Sequence, residues 1–538
     1  MKTVLFCCLK KYFRLDVPNN STWKKLISIS PFLMGGFLLL LLLGGCSAEA
    51  RLASGVKIYN IGEYSRAAER FKKMDFDNRY YRAQASFYLA MSYYRVGQAQ
   101  RAAAYFQRAI RYGLSNPEAY FYLGQSLRMR QDYEEAIEAY EEFLKHDVGN
   151  RAALNGIASC NMAMNNPKQT RYVVELNRSL RIRGSNYCPA FAGNDFSVIF
   201  FSSMKRGVKK RSTNKITGLG SSIIYSAIQD GRGGWEEPVP FLGDENPLID
   251  DGTPSFTADG KEMFFTRCTY SDEGPSGASI MVMKKSGGRW GAPEKIPLGA
   301  DSLVFAHPAI SPDGQTLYFV SDRPGGFGGK DLWKVTRQGD VWGEPENLGP
   351  EINTPADEMF PYVRSNGKLY FSSDGLPGYG GLDIFEAEWD DNAGKWLVTN
   401  LGLPINSAAH DFGIVFRGNS NMGFLSSSRG SYNGLDQIFE FELPAIEAIL
   451  KGKVLDEDEK PVKNASVFVV GNNGVNRSTV TSDKGSFTFS LKAEADYIVM
   501  IVAEGFYNGK IALSTYGMDE TDEFERTVIL KKTESHDR

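Results

Sequence analysis

The sequence has few of the residues that build metal centres and disulfide frameworks. Its 538 residues include only four histidines and six cysteines, three of which lie in the first 46 residues. The remaining cysteines are scattered, so they do not form a disulfide framework, although a Cys160–Cys188 bridge and free buried thiols both remain open. The histidines share no ligand spacing with one another or with a cysteine. We therefore expect no metal site and no cofactor.

An excess of positive charge is also lacking. The chain has 61 Lys and Arg residues against 64 Asp and Glu residues, which gives a net charge of −3. Proteins that bind nucleic acids carry basic patches that neutralise phosphates, so we expect no nucleic-acid partner. The length exceeds what a single hydrophobic core organises and predicts several domains.

Two motifs approach catalytic patterns without completing them. The run SDRPGGFGGKDLW at 321–333 has Pro324 where a P-loop needs its first glycine, and Asp331 follows Lys330 where Ser or Thr would bind Mg²⁺. The run GPSGA at 274–278 lies one residue from a nucleophile elbow, but no strand–turn–helix pattern surrounds it, and we interpret it as a turn. We expect no catalytic residues and no enzymatic activity.

The N-terminus carries a membrane-targeting pattern. Two lysines, Lys24 and Lys25, precede an apolar stretch that ends Leu43-Gly44-Gly45-Cys46-Ser47. This ending resembles a bacterial lipobox, in which the cysteine is lipidated and becomes the mature N-terminus. We therefore assign residues 1–45 to a signal peptide of the lipoprotein type, with Cys46 as the lipidation site. A retained transmembrane helix is the alternative, since about 20 apolar residues can cross a bilayer.

Residues 46–170 show a helical pattern that repeats every 34 residues. A degenerate copy is followed by two clear copies. The apolar and small residues of the first clear copy are Leu89, Ala90, Tyr93, Ala102, Phe106 and Ala109. The equivalent residues of the second are Leu123, Gly124, Leu127, Ala136, Tyr140 and Phe143. This period resembles the tetratricopeptide repeat, a helical solenoid with a concave face for a partner. A fourth, weak copy near 151–166 predicts a capping helix pair. The repeat frame places Phe87, Tyr94, Phe121 and Arg128 on the concave face as partner-binding residues, with packing between repeats as the alternative.

Residues 171–445 change to strand patterns that repeat about every 53 residues. Units begin near Pro189, Pro254, His307, Phe360 and Gly413, and each holds short strands, a tight turn and a glycine-rich connection. Four short antiparallel strands per unit resemble the WD40-like PD40 repeat and imply a five-bladed β-propeller. The glycines would let neighbouring blades approach closely. Residues 172–183 would supply the outer strand of the last blade and so close the circle.

Other recurring positions in these units have structural interpretations. An Asp before the third strand recurs at Asp331, Asp383 and Asp436, which favours a hydrogen-bonded turn over paired catalytic carboxylates. His307 aligns with Phe360 of the next unit, whereas His410 aligns with Glu358 of the preceding unit. The two histidines therefore occupy different positions of the repeat and do not form a site. The Trp-x-x-Pro steps favour packing between blades.

Residues 446–533 show strict alternation of apolar and polar residues between turns. Gly452, Pro461, Gly485, Phe487 and Tyr497 belong to the pattern that resembles the carboxypeptidase regulatory-like domain, a transthyretin-like β-sandwich. Residues 534–538 are polar, and we expect a disordered tail. The fold class predicted for the whole chain is thus multidomain, α-helical repeats followed by two all-β domains.

The order of these domains resembles the PorE-like periplasmic lipoproteins associated with the type IX secretion system. That resemblance implies a non-enzymatic, lipid-anchored scaffold at the periplasmic face of the outer membrane, with protein partners in a secretion or envelope assembly complex. Such proteins continue into an OmpA-like domain that binds peptidoglycan, and this chain ends after the β-sandwich, so peptidoglycan binding is not expected. The alternative function is binding of carbohydrate or an envelope polymer through tryptophans on the propeller face.

Overall fold

The computed structural model describes residues 47–165, 167–209, 212–243, 246, 248–271 and 274–533. The chain divides into two compact units, one ending at Glu442 and the other beginning at Leu443. The first contains helices followed by a large set of antiparallel sheets, and the second is all-β. This confirms the predicted combination of an α-helical region with all-β regions.

Seven helices form the N-terminal part of the described chain. Their bounds are α1 Ala48–Asn60, α2 Tyr64–Lys72, α3 Arg79–Arg95, α4 Ala99–Arg111, α5 Glu118–Arg128, α6 Tyr133–Leu144 and α7 Arg151–Asn165. The side chain of Asn78 caps α3 by accepting a hydrogen bond from the backbone N–H of Tyr80. The fourth copy of the repeat is the single helix α7, so the predicted capping pair is wrong. After α7 the chain is extended, and the backbone N–H of Lys168 donates to the Tyr379 hydroxyl at 2.8 Å.

Small residues lie where these helices cross. Ala90, Ala102 and Ala136 are fully buried. A Cβ at Gly124 would come within 2.8 Å of the buried Tyr140 ring, so only glycine allows that ring to fill the crossing between α5 and α6. The alternation of small residues with large aromatics therefore packs the helical repeat as the sequence pattern predicts.

Five antiparallel sheets follow the helices. Sheet 1 contains β2 Gly184–Phe191, β3 Val198–Lys205, β4 Ser222–Ile228 and β5 Val239–Leu242; sheet 2 contains β6 Ile249–Phe256, β7 Glu262–Ser271, β8 Gly274–Ser286, β9 Arg289–Trp290 and β10 Glu294–Lys295. Sheet 3 contains β11 Phe305–Ile310, β12 Thr316–Ser321, β13 Asp331–Gln338, β14 Val341–Trp342 and β15 Glu346–Asn347. Sheet 4 contains β16 Glu358–Val363, β17 Leu369–Ser373, β18 Asp383–Asp390 and β19 Lys395–Asn400, and sheet 5 contains β20 Asp411–Phe416, β21 Met422–Ser427 and β22 Gln437–Glu442 together with β1 Val173–Leu176. Residues 274–278, interpreted from the sequence as a turn, belong to β8, so that interpretation is wrong.

The sheets are arranged in a ring. The first strands contact one another in a closed cycle, β2 with β6, β6 with β11, β11 with β16, β16 with β20 and β20 with β2. Strand β1 pairs with β22 at the outer edge of sheet 5, with Val173 opposite Glu442 and Leu176 opposite Phe439. Residues that precede sheet 1 therefore complete sheet 5, which confirms the predicted outer strand and covers an edge that would otherwise be unpaired.

Each first strand has a β-bulge at the same place. The register shifts follow Tyr187, Gly252, Ala306, Met359 and Phe412. The next residue in each strand has a positive φ: Cys188, Thr253, His307, Phe360 and Gly413. These five positions surround a central cavity of about 450 Å³ lined mainly by apolar residues of the first strands. The predicted alignment of His307 with Phe360 is therefore confirmed.

The helices dock directly on one end of this ring. The Asn155 side chain donates to the Gly375 carbonyl at 2.7 Å, and the backbone N–H of Gly378 donates to the Ser159 hydroxyl at 3.1 Å. At the other end of the repeat, the backbone N–H of Ser65 donates to the Ile216 carbonyl at 2.9 Å. The two regions therefore form one compact unit with the concave face of the helices turned toward loops of the sheets.

The second unit has a three-stranded sheet, in the order β26-β23-β29, and a four-stranded sheet, in the order β25-β24-β27-β28. The strands are β23 Glu447–Asp456, β24 Ser466–Gly471, β25 Asn476–Val480, β26 Ser486–Lys492, β27 Asp496–Val502, β28 Gly509–Ser514 and β29 Asp522–Leu530. Alternate residues of β26 and β27 are buried, so the period-two pattern of the sequence provides this unit with its own core.

Candidate partner-binding cavity

A cavity of about 1190 Å³ lies between the helices and the ring. Its helical wall contains Tyr94 at the end of α3 and Phe121, Tyr122 and Gln125 on α5. Its opposite wall contains residues 321–331, the glycine-rich connection from β12 to β13, and residues 355–357 before β16. Cavities that bind ligands are commonly about 300–1,000 Å³, so this volume accommodates a segment of several residues.

The aromatic residues of the helical wall form one continuous group. The Tyr94 and Tyr122 ring centroids are 5.0 Å apart, and those of Phe121 and Tyr122 are 5.2 Å apart. Phe121 also contacts Phe143, another cavity-lining ring, at 5.3 Å. Adjacent rings at these distances support one another in fixed orientations and offer apolar surface at a small entropic cost.

The structure brings together two of the four residues predicted on the concave face. Tyr94 and Phe121 line the cavity. Phe87 is 3% exposed and packs against Phe106 inside the helical core, and Arg128 is 2% exposed and donates to the Gln125 side chain at 2.9 Å. Phe87 and Arg128 therefore have almost no surface to offer in this arrangement, and partner binding by all four side chains stays a prediction.

The sequence reasoning missed Tyr122, Gln125 and Arg95, which also line the cavity. A signal was present for Tyr122, because it follows Phe121 and lies 34 residues after Tyr88, another tyrosine that packs between helices. The guanidinium of Arg95 lies 5.9 Å from the Tyr122 ring centroid. The sequence pattern of the helices did not predict that the sheets would form the second wall of the cavity.

The glycine-rich connection of sheet 3 is a packing element. A Cβ at Gly328 would lie 2.3 Å from the Cα of Pro355, so the absence of a side chain allows sheets 3 and 4 to meet here. The ammonium of Lys330 is buried and lies 3.0 Å from the Asp357 carboxylate, which also accepts from the Lys330 backbone N–H. The lysine of this run therefore joins two sheets, and the close contact at Gly328 agrees with the architectural interpretation of the glycines.

The aspartates that precede the third strands fix these connections. Asp331 accepts a hydrogen bond from the backbone N–H of Phe327 at 2.6 Å, and Asp383 accepts from that of Tyr379 at 2.9 Å. Asp436 accepts from the Ser185 hydroxyl at 2.8 Å. The predicted hydrogen-bonded turn role is confirmed for Asp331 and Asp383, whereas Asp436 bonds to Ser185 in β2 of the neighbouring sheet.

The predicted alignment of His410 with Glu358 is wrong by one residue. His410 occupies the position of Asp357, because its Nδ1 accepts from the backbone N–H of Leu382 at 3.0 Å, as Asp357 accepts from that of Lys330. Both side chains tie a third strand to the next sheet. An imidazole nitrogen replaces a carboxylate in this role, and the different residue type concealed the equivalence.

Negative charge exceeds positive charge on the cavity wall. Six carboxylates line it against four basic side chains. Burial, followed by the neighbouring Asp357 carboxylate, raises the pKa of Asp374 to about 6. Burial also raises the pKa of Glu118 and of Asp331 above the ordinary values. These carboxylates lie in poorly hydrated surroundings, where a ligand's charge acts strongly.

Three tryptophans of the ring, Trp235, Trp290 and Trp333, pack against neighbouring side chains. Trp333 is 5% exposed, and Trp290 contacts Phe241 and Phe256 with ring centroids 6.1 Å from each. Trp235 contacts Phe191 and Phe424 in the same manner. These contacts support the packing interpretation of the Trp-x-x-Pro steps and leave these three rings little surface for stacking on a sugar.

Three further observations concern the membrane, metals and thiols. None of the described helices combines the length and the hydropathy needed to cross a membrane. Within the described ranges, no group of three or more His, Cys, Asp or Glu side chains has an arrangement that could hold a metal ion. Cys160, Cys188 and Cys268 are buried, and none of these described cysteines forms a disulfide. The predicted lipidation site, Cys46, lies outside the described residues.

Comparisons with known proteins agree with two of the sequence resemblances. A tetratricopeptide repeat model matches residues 87–153, and a carboxypeptidase regulatory-like domain model matches residues 449–524. No curated protein sequence matches the chain. The helical repeat and the regulatory-like domain are thereby confirmed as similarities of parts of the chain.

Three solved structures that resemble this protein each match a portion of it. A 3-chlorocatechol 1,2-dioxygenase from Rhodococcus opacus 1CP is 12% identical over 17% of this chain, with a TM-score of 0.15. The MamA protein is 27% identical over 21%, with a TM-score of 0.20, and a prolyl endopeptidase is 12% identical over 74%, with a TM-score of 0.26. This chain covers 62%, 62% and 54% of the three structures, less than two thirds of each. Similarities this low carry no argument about activity.

Proposed function

We propose that this protein is a non-enzymatic scaffold that holds a segment of a partner protein in the cavity between its helical repeat and its ring of sheets. The single observation that carries this proposal is the continuous aromatic wall formed by Tyr94, Phe121 and Tyr122 on the concave face of the helices. Tetratricopeptide repeats offer such faces to protein segments, and the match of residues 87–153 to this repeat supports the same use here.

The ring is proposed to be a five-bladed β-propeller, and the second unit a transthyretin-like β-sandwich. The closed cycle of first strands and the pairing of β1 with β22 support the propeller. Two sheets around a separate core support the sandwich. A rigid ring would hold the glycine-rich connections in place and so preserve the shape of the second cavity wall.

Lipid anchoring at Cys46 is proposed to restrict the scaffold to the periplasmic face of the outer membrane. The lipobox-like sequence and the order of helical repeat, ring and regulatory-like domain support this location and a role in a secretion or envelope assembly complex, as in the PorE-like lipoproteins. A lipid anchor and a cavity for a partner would together raise the effective concentration of that partner at the membrane.

The proposal is tested by crosslinked pull-down from membranes. The wild type is compared with the double variant Tyr94→Ala/Phe121→Ala, and with Tyr80→Ala, which changes a 62% exposed tyrosine that does not line the cavity. The proposal predicts that defined protein partners co-purify with the wild type and with Tyr80→Ala but are lost from the double variant. Equal recovery from all three proteins would contradict it.

A further inference from the structure

The charged side chains of the cavity wall indicate which type of protein segment the cavity would bind. Of its basic side chains, Lys330 is paired with Asp357, and the guanidinium of Arg323 lies 5.0 Å from the Trp333 ring centroid. The guanidinium of Arg95 faces the Tyr122 ring in a similar manner. Three of the four basic groups are thus engaged within the wall.

The carboxylates of the same wall are less well matched. Among the described residues, Glu118, Asp322 and Asp374 form no ion pair, although all three line the cavity. Asp322 and Asp374 each accept a backbone N–H, from Val304 at 2.9 Å and from Asp357 at 3.0 Å. Glu118, the first residue of α5, lies one turn before Tyr122. Arg95 acts on Glu118 through space, and Lys330 and Arg128 act on Asp374, but none of these described cations forms an ion pair with them.

Resting on the proposed function, we infer that the occupant of this cavity is a basic segment of the partner protein, with an Arg or Lys side chain placed between Glu118 and the rings of Tyr94 and Phe121. A cation is attracted to the faces of aromatic rings, and more strongly where water is excluded. The acidic excess of the wall and its rings therefore select the same type of side chain. An acidic segment would meet repulsion from three unpaired carboxylates.

The test measures binding of defined peptide pools to the full chain. Labelled nonapeptide pools are randomised at eight positions and carry Arg, Lys, Leu or Glu at the centre, and binding is followed by fluorescence anisotropy. The pools with Arg and Lys should bind the wild type about tenfold more tightly than the pool with Glu, the ratio expected for a difference of one partly buried cation–π and charge contact.

Two variants locate the effect. Glu118→Gln removes the charge while keeping the size of the side chain, and it should reduce the preference for Arg over Glu to about threefold or less. Glu134→Gln, an exposed glutamate on α6 that does not line the cavity, should leave the preference unchanged. A melting curve confirms that both variants are folded.

The outcomes separate this inference from the proposed function. Equal binding of all pools, tighter binding of the Glu pool, absence of binding by every pool, or an unchanged preference in Glu118→Gln overturns the basic segment. In each of these cases the proposed function stands as long as Tyr94→Ala/Phe121→Ala still loses partners in the pull-down. If the peptide preference failed and Tyr94→Ala/Phe121→Ala also kept its partners in the pull-down, the proposed scaffold function would be overturned as well.

Discussion

The backbone N–H of Cys188 in sheet 1 donates a hydrogen bond of 2.8 Å to the hydroxyl of Ser426 in sheet 5. The same bond joins Thr253 to Ser202 and His307 to Thr266, each time from the bulge residue of one sheet to the second strand of the preceding sheet. The Cys188–Ser426 bond is the member of this series that joins the last sheet to the first. It therefore contributes directly to closure of the ring.

Replacing Ser426 by alanine should weaken this closure. The change leaves the buried N–H of Cys188 without its acceptor, which should lower the free energy of unfolding by about 1–3 kcal/mol. Ser372→Ala is the matched control, because Ser372 occupies the corresponding place in sheet 4 and its buried hydroxyl has no hydrogen-bond partner. Urea unfolding of both variants checks the prediction, and equal losses in the two would contradict it.

Close approach of neighbouring sheets should make Gly380 intolerant of a side chain. A Cβ at this position would lie 2.0 Å from the carbonyl oxygen of Ala409, so Gly380→Ala should cost about 1–3 kcal/mol through overpacking. At Gly231 a Cβ meets no atom within 4 Å, and Gly231→Ala should leave stability unchanged or raise it by up to about 1 kcal/mol. Thermal unfolding of the two variants would refute the account if Gly380→Ala were as stable as Gly231→Ala.

Glu358 should make the protein less stable as the pH rises. Its carboxylate is buried, and burial raises its pKa from 4.5 to about 8 despite hydrogen bonds from Thr354 and Ser373. Because the folded state binds this proton more tightly than the unfolded state, its contribution to stability is complete below about pH 4.5 and is lost as the pH rises toward 8.

The variant Glu358→Gln isolates that contribution. The wild type should lose stability between pH 5 and 8 more steeply than the variant, by up to about 1.4 kcal/mol per pH unit. Glu134→Gln, at an exposed site, should show the wild-type slope. Urea unfolding at several pH values measures all three slopes, and a variant slope equal to that of the wild type would show that Glu358 is not the group responsible.

Lipidation at Cys46 should decide membrane association. Cys46→Ser removes the sulfur that would carry the lipid, and attachment through acyl chains depends on about 0.8 kcal/mol per buried CH₂ group. The variant should move from the membrane fraction to the soluble fraction, while Cys8→Ser should stay with the membrane. Retention of Cys46→Ser in the membrane would favour the alternative of an uncleaved transmembrane helix.

Much of the architecture was accessible from the sequence because it repeats. The 34-residue period predicted the buried Ala102 and Ala136, and the assignment of residues 172–183 as an outer strand predicted that the chain returns to close sheet 5. The glycine-rich runs predicted close contacts between sheets because only glycine permits them. Local periodicity determines such features, and a single sequence displays it directly.

The cavity could not be predicted in the same way. Tyr94 and Phe121 followed from the repeat frame, but their counterparts at Lys330 and Asp357 lie more than 200 residues further along the chain, and only the docking of the helices on the ring brings them together. Phe87 shows that the repeat frame alone does not predict which residues line the cavity. It lies 34 residues before Phe121, yet it packs inside the helical core, whereas Phe121 lies on the cavity wall.

Site-specific photocrosslinking tests most directly whether the cavity holds a partner protein. Gly149 lines the cavity and Gly231 does not, and a Cβ at either position meets no atom within 4 Å, so these two positions are chosen for benzoylphenylalanine. Irradiation in intact cells should crosslink a second protein from position 149, with the adduct reduced by Phe121→Ala and absent from position 231. The absence of an adduct at position 149, or the same adduct from both positions, would contradict the account.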